Sequence, residues 1–337
     1  MLRACEKPLQ EAYDVAVLDL DGVVYVGPHG VPHAADALNA AQAGGMHLAF
    51  ITNNAARTPE TVGEHLRDLG VEAHDEDVVT SAQAAARLLS NQLPAGSRVF
   101  LVGGPGLEQA LVERGLVPVT EPGDDVAAVV QGYGPEMPWK RVTQGATLVR
   151  NGLPWVATNT DMTVPTATGV GPGNGTLVRL VAEFAEREPQ VAGKPMAPLF
   201  EETMARVGGQ RPLMVGDRLD TDIRGAVTMG WDSLLVLTGV TRLEKLVAAA
   251  PSERPTYLGV DLRALALSHP AAEAVGDEVR AGGWVASTPG GTLRVAGEGD
   301  LTDWWRAVAV AAWRHFDASG QPVATDGVEV PTVAWAP

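Results

Sequence analysis

Two short apolar runs, Asp14–Leu20 and Pro212–Val215, each deliver the chain to a pair of carboxylates, and no other feature restricts the fold as much. The first reads Val-Leu-Asp-Leu-Asp-Gly-Val and carries Asp19 and Asp21. The second passes into Gly216-Asp217-Arg-Leu-Asp-Thr and reaches Asp222. The run Asp14–Leu20 is β-branched, barely alternates and is bounded by polar residues, which predicts a strand buried on both faces of a parallel sheet. Open α/β sheets gather ligands beyond the C-terminal ends of their strands. If the two strands are neighbours, their carboxylates meet at one edge. Two such pairs suggest a single Mg2+ site, because this ion takes oxygen ligands and keeps several waters. Taken singly, each Asp also reads as a turn or helix-capping residue.

The intervening sequence alternates in the manner of a doubly wound α/β protein. Residues 33–43 have helical apolar spacing and stop at Gly44-Gly45, a C-terminal helix signal. His47–Ile51 reads as a second strand and runs into Thr52-Asn53-Asn54. Pro59 opens a helix that ends before Gly70. From Ser81 a second α/β series begins: a helix to Leu89, strands at 98–102, 127–131 and 155–158, and helices ending near Arg114, following Met137 and spanning 177–186.

The four segments Asp-Leu-Asp-Gly-Val-Val-Tyr, Ile-Thr-Asn-Asn, Ala-Gly-Lys-Pro and Val-Gly-Asp-Arg-Leu-Asp-Thr-Asp-Ile resemble, in order and spacing, the motifs of the haloacid dehalogenase superfamily of phosphatases. The resemblance covers about the first 265 residues. It is nearest to the branch with a large α/β cap between the second and third motifs, and within it to glycerol 3-phosphate phosphatases bearing a truncated acetyltransferase-like extension. It implies a Rossmann-like core from 1–82 and 187–265, an inserted cap at 83–186, and a small C-terminal α+β module at 266–337. That module shows strand-like pieces at 284–287, 292–296 and 328–336 and an amphipathic helix at 301–316.

The resemblance also implies chemistry. Asp19 is the nucleophile that forms an aspartyl-phosphate, and Asp21 protonates the leaving oxygen and later activates water. Mg2+ is held by Asp19, the Asp21 backbone carbonyl and Asp217, with Asp222 behind it and Asp220 as an alternative that the family pattern favours less. Thr52, the Asn53 amide and Lys194 bind the phosphoryl group, and Asn159 and Asp161 of the cap face the leaving group. An Asp at position 21 predicts ester hydrolysis, since dehalogenases lack an acid there. Glycerol 3-phosphate is the expected substrate, with 2-phosphoglycolate, pyridoxal phosphate and 4-nitrophenyl phosphate as alternatives, and a phosphomutase or a non-catalytic metabolite binder as other classes. Where many relatives read Gly-Tyr-Asp, this chain has Gly132-Tyr133-Gly134. Arg294 to Gly299 fits the Arg-x-x-Gly-x-Gly pattern that cradles pyrophosphate in acetyltransferases, although Glu298 and Asp300 would repel that anion. Relatives dimerise through the cap, which implies a homodimer.

Composition narrows the partners. A net charge of −16 argues against nucleic acid and anionic membrane surfaces, and requires that a site for phosphate neutralise charge locally. The one cysteine, Cys5, fits no nucleophile, metal or internal disulfide pattern. A reducing cytoplasm is the expected setting. The seven histidines lack metal-ligand spacing, and no apolar stretch has the length of a membrane span. Pro195 stands where a Walker A loop needs Ser or Thr.

Overall fold

The computed structural model of the protein describes residues 2–166 and 169–331. They form two compact units. One comprises the described residues up to Leu48, Leu69–Glu72 and everything from Gly209 onward; the other comprises Ala49–Asp68 and Ala73–Gly208.

In the first unit, four parallel strands lie in the order Tyr257–Gly259, Asp232–Val236, Pro212–Gly216, Val15–Leu18. All of Val15–Leu18 is buried, as its unbroken apolar pattern requires. The pairing of Leu18 with Val215 brings the two carboxylate-bearing loops to one sheet edge. The helix Ala34–Ala43 ends at Gly44, with Gly45 at positive φ as the expected stop signal.

The C-terminal part of this unit is a meander of four antiparallel strands, Glu273–Val275, Glu278–Ala281, Trp284–Ser287 and Arg294–Gly297, followed by the helix Leu301–Ser319. Every residue from Trp304 to Trp313 is buried, so this helix is covered on all sides. Ala307, Val310 and Ala311 pack against Val279, Ala281 and Ala286 of the meander. Trp304, Trp305, Ala312 and Trp313 enter a cluster with Leu235, Leu243, Leu246 and Leu258. The expected 266–337 module therefore shares a core with the parallel strands. Of the expected strand at 328–336, residues 328–331 form none and the remainder lie outside the described residues.

The second unit holds five parallel strands in the order Gln190–Val191, Trp155–Ala157, Val126–Gln131, Arg98–Val102, Val117–Val119. Helices Trp139–Arg150 and Asn174–Ala185 bury an apolar face with them, through Val142, Val149, Val178 and Val181. Also here, the end of His47–Thr52 pairs in parallel with Val78–Thr80, matching Thr52 to Thr80. Thr80 then caps the helix Ser81–Gln92 in a reciprocal capping box with Gln83. Residues 83–186 all fall within this unit. The helix expected at 177–186 begins earlier, at Asn174, and Gly169–Pro172 is a strand paired antiparallel with Thr163–Thr166.

Candidate active site

In the first unit, Asp19, Asp217 and Asp222 each offer a carboxylate oxygen, and these oxygens lie within 4.8 Å of one another. All three residues are buried. Asp19 leaves its strand in register, its N–H donating to Val215 O at 2.9 Å, and its Oδ1 accepts the Leu20 N–H at 2.7 Å. Gly22 follows at φ 85°, a left-handed turn that leaves the Asp21 side chain exposed to solvent.

Asp217 is held by a loop that carries no family motif in the sequence. Val240 N–H donates to its Oδ2 at 2.5 Å, and Thr241 Oγ1 donates to its backbone oxygen at 2.6 Å. Thr238 Oγ1 reaches Gly22 O at 2.6 Å, so the same loop ties down the turn after Asp21. The carboxylate fits only because its neighbours lack side chains: a Cβ on Gly239 would meet Asp217 Oδ2 at 1.9 Å, and one on Gly22 at 2.7 Å. Asp222 accepts the Arg218 N–H at 3.1 Å and the Thr221 hydroxyl at 3.4 Å. Its carboxylate oxygen lies within 4.8 Å of those of Asp19 and Asp217. Three buried carboxylates this close repel one another unless a cation or protons offset their charge. An all-oxygen trio suits a hard divalent ion such as Mg2+.

The second unit carries the other expected residues. Thr52, Asn53, Asn159 and Lys194 are buried and Asp161 is half-buried. The Asn53 side chain joins them. Its Oδ1 accepts the Lys194 N–H at 2.8 Å, and its Nδ2 donates to Lys194 O at 3.2 Å and to Asp161 Oδ2 at 3.1 Å. Its backbone oxygen accepts from Ser81 Oγ at 2.7 Å and Asn159 Nδ2 at 2.6 Å. Gly193 must be glycine for this approach, since a Cβ would lie 2.5 Å from Asn53 Oδ1. The Thr52 hydroxyl accepts the Asn54 N–H at 3.0 Å, which leaves its proton free to be donated elsewhere.

The loop after Trp155–Ala157 is fixed in turn. Asp161 N–H donates to Asn159 Oδ1 at 3.2 Å, and Asn174 Nδ2 donates to Asn159 O at 2.8 Å. Gly175 lies so close that a Cβ would meet Thr160 O at 2.1 Å, so the sequence Pro172-Gly173-Asn174-Gly175 needs glycine at its last position. The sequence reading missed the side-chain role of Asn53, the anchors Ser81 and Asn174, and the 238–241 loop. For the last, the only local signal is a Thr-Gly turn after an apolar run.

Two sequence features singled out above have physical causes in the packing. A side chain at Gly134 would press on the backbone of Gly103 and Gly104, with a Cβ 3.0 Å from Gly104 N, so the missing acid reflects a close chain crossing. In the segment Arg294–Gly299, a Cβ on Gly297 would lie 2.1 Å from Gly283 O, so this glycine serves backbone packing. Asp300 Oδ1 accepts the Thr302 N–H at 2.7 Å and so occupies the helix N-terminus where a pyrophosphate would sit.

Comparison with known proteins places the chain in a family. Residues 16–117 match a family model described as haloacid dehalogenase-like hydrolase, and residues 191–265 match a second, HAD-hydrolase-like model. The chain is 40% identical over 328 residues to D-glycerol 3-phosphate phosphatase of Mycobacterium tuberculosis, covering 94% of this chain and 91% of that protein. This chain belongs to the haloacid dehalogenase-like hydrolases. The hydrolase is also 35% identical over 252 residues to acid sugar phosphatase of Staphylococcus aureus, covering 74% of this chain and 95% of that protein. Its structure resembles that of the glycerol phosphate phosphatase of M. tuberculosis in complex with magnesium, with a TM-score of 0.84, 39% identity and coverage of 95% of this chain and 96% of that chain. No helix among the described residues is long and apolar enough to cross a membrane.

Proposed function

We propose that this hydrolase is a Mg2+-dependent phosphomonoesterase that releases phosphate and glycerol from glycerol 3-phosphate. The observation that carries the reading is the buried trio Asp19, Asp217 and Asp222 at the C-terminal edge of a parallel sheet. The substrate rests on the mycobacterial relatives, whose similarity extends over nearly the whole chain.

Asp19, Asp217 and the Asp21 carbonyl would hold the ion, with Asp222 beside them. When bound, Mg2+ supplies positive charge that offsets the phosphate dianion and lets a carboxylate approach it. The Asp19 carboxylate then attacks phosphorus in line, forming a P–O bond as the ester P–O bond breaks. Asp21, exposed and two residues on, donates a proton to the departing glycerol oxygen and takes one from the water that hydrolyses the aspartyl-phosphate. By motif position, the Thr52 hydroxyl, the Asn53 N–H and the Lys194 ammonium bind the phosphoryl oxygens. Residues 83–186 act as the cap, in which Asn159 and Asp161 select the leaving group by accepting its hydroxyls. The cytoplasm and a homodimer complete the proposal.

Phosphate release from a panel of glycerol 3-phosphate, 2-phosphoglycolate, pyridoxal phosphate and 4-nitrophenyl phosphate tests it. Preference for another ester keeps the mechanism and corrects the substrate.

A further inference from the structure

The 238–241 loop that holds Asp217 runs directly into the helix Leu243–Val247, and that helix is only five residues long. A helix this short has no stability of its own and must be held by its surroundings. Two residues hold its C-terminal end and the turn that follows it. Trp313, fully buried in the long C-terminal helix, donates from Nε1 to Leu246 O at 2.8 Å. Arg254 donates from Nε to Ala249 O at 3.0 Å. Its guanidinium lies 5.4 Å from the centre of the Trp313 ring and pairs with Asp317 of the same long helix at 2.7 and 2.8 Å. Around these bonds, Leu243, Leu246 and Val247 share one apolar cluster with Trp304, Trp305 and Trp313, and so do Leu219 and Ile223, which flank Asp220 and Asp222.

We infer that the C-terminal helix positions the metal site, with Trp313 as its principal positioning residue acting through Leu246 and the 240–241 backbone on Asp217. The inference rests on the reading that Asp217 holds the ion. It gives the acetyltransferase-like extension a role that needs no ligand: the helix Leu301–Ser319 buttresses one wall of the carboxylate cluster. Val240 N–H can approach Asp217 Oδ2 to 2.5 Å only while the turn preceding Leu243 is fixed. Releasing the far end of so short a helix frees that turn.

The test compares Trp313→Phe, which removes the indole N–H and keeps an aromatic ring, with Val323→Ala, which trims the same apolar cluster and leaves the indole N–H in place. Metal-free full-length protein is followed by amide hydrogen exchange. The inference predicts that Trp313→Phe speeds exchange across 238–247 by several-fold while exchange across 15–20 is unchanged, and that Val323→Ala does neither. Calorimetric Mg2+ titration should then show binding weakened about twofold to fivefold in Trp313→Phe alone, the scale of one net hydrogen bond. Equal effects of the two variants on both readouts would overturn it. If Trp313→Phe does not fold, Asp317→Asn loosens the same anchor from its exposed side, and the same exchange pattern at reduced size is required. A parallel Asp217→Asn titration separates the two readings. Mg2+ binding unchanged in that variant would refute the metal reading, while the exchange data still decide the role of Trp313.

Discussion

Asn53 donates its side-chain amide to Asp161 Oδ2 at 3.1 Å while its own Oδ1 accepts the Lys194 N–H at 2.8 Å, so one side chain fixes both a loop acid and the backbone of a lysine. A buried amide making bonds of both kinds is costly to lose, because the Lys194 backbone N–H it accepts from is buried and loses that partner. Asn53→Ala is expected to lower kcat/KM for glycerol 3-phosphate by at least about a hundredfold, about 2.7 kcal/mol. Steady-state kinetics on folded protein checks this.

Asp161→Ala separates substrate selection from chemistry. If Asp161 accepts hydroxyls of glycerol, its loss raises KM for glycerol 3-phosphate by about tenfold, about 1.4 kcal/mol, and changes 4-nitrophenyl phosphate, which has no such hydroxyls, much less. Equal losses on both esters would assign Asp161 to the loop alone.

Gly239→Ala places a methyl group where Asp217 Oδ2 lies, 1.9 Å away. The carboxylate must move, and Mg2+ affinity should fall at least about tenfold with a stability loss of about 1–3 kcal/mol, the usual range for overpacking. Calorimetric titration and thermal unfolding measure the two effects independently.

Some strands were readable from their side-chain content, while others equally buried, such as Asp232–Val236 and Tyr257–Gly259, were not read. Val15–Leu18 and Arg98–Val102 stand out by their β-branched and apolar content, and Trp284–Ser287 by its Trp-Val-Ala run although it is only partly buried. Gly169–Pro172 did not, because a strand of Gly, Val, Gly and Pro has no propensity to betray it and exists only through its partner Thr163–Thr166. The exposed strand Glu273–Val275 is similarly silent. Motif order pointed to the carboxylates, but the role of Val240 could not be read: it acts through its backbone N–H, which every residue except proline possesses.

Glu202 is buried and takes three guanidiniums, with Arg114 and Arg206 at 2.6 Å and Arg87 at 3.3 Å. It ties the helix Ser81–Gln92 to the helix Ala197–Val207 and to the end of Pro105–Glu113. Glu202→Ala leaves three like charges together. The expected cost is about 3 kcal/mol, the low end for breaking a buried pair, since each arginine is about one-third exposed. Denaturant unfolding would register this as a lower midpoint with little change in slope.

His269 is buried with Nε2 3.0 Å from Ala264 O. Burial holds its pKa below the usual 6.5, helped by Arg306 and opposed by the bond to Ala264. The unfolded chain then binds a proton that the folded protein resists. Stability is fully present above pH 6.5 and is lost as pH falls below that value toward the folded pKa. His269→Gln, which can still donate to Ala264 O, should flatten the fall in melting temperature between about pH 6.5 and 5. An unchanged pH profile would remove His269 as its cause.

The most direct test of the central claim is Mg2+-dependent phosphate release from glycerol 3-phosphate by the wild type and by Asp19→Asn, with EDTA as a control. The account predicts release that requires Mg2+ and is lost in Asp19→Asn, with phosphate bound covalently to the wild type on rapid acid quench. Release retained without the Asp19 carboxylate would contradict it.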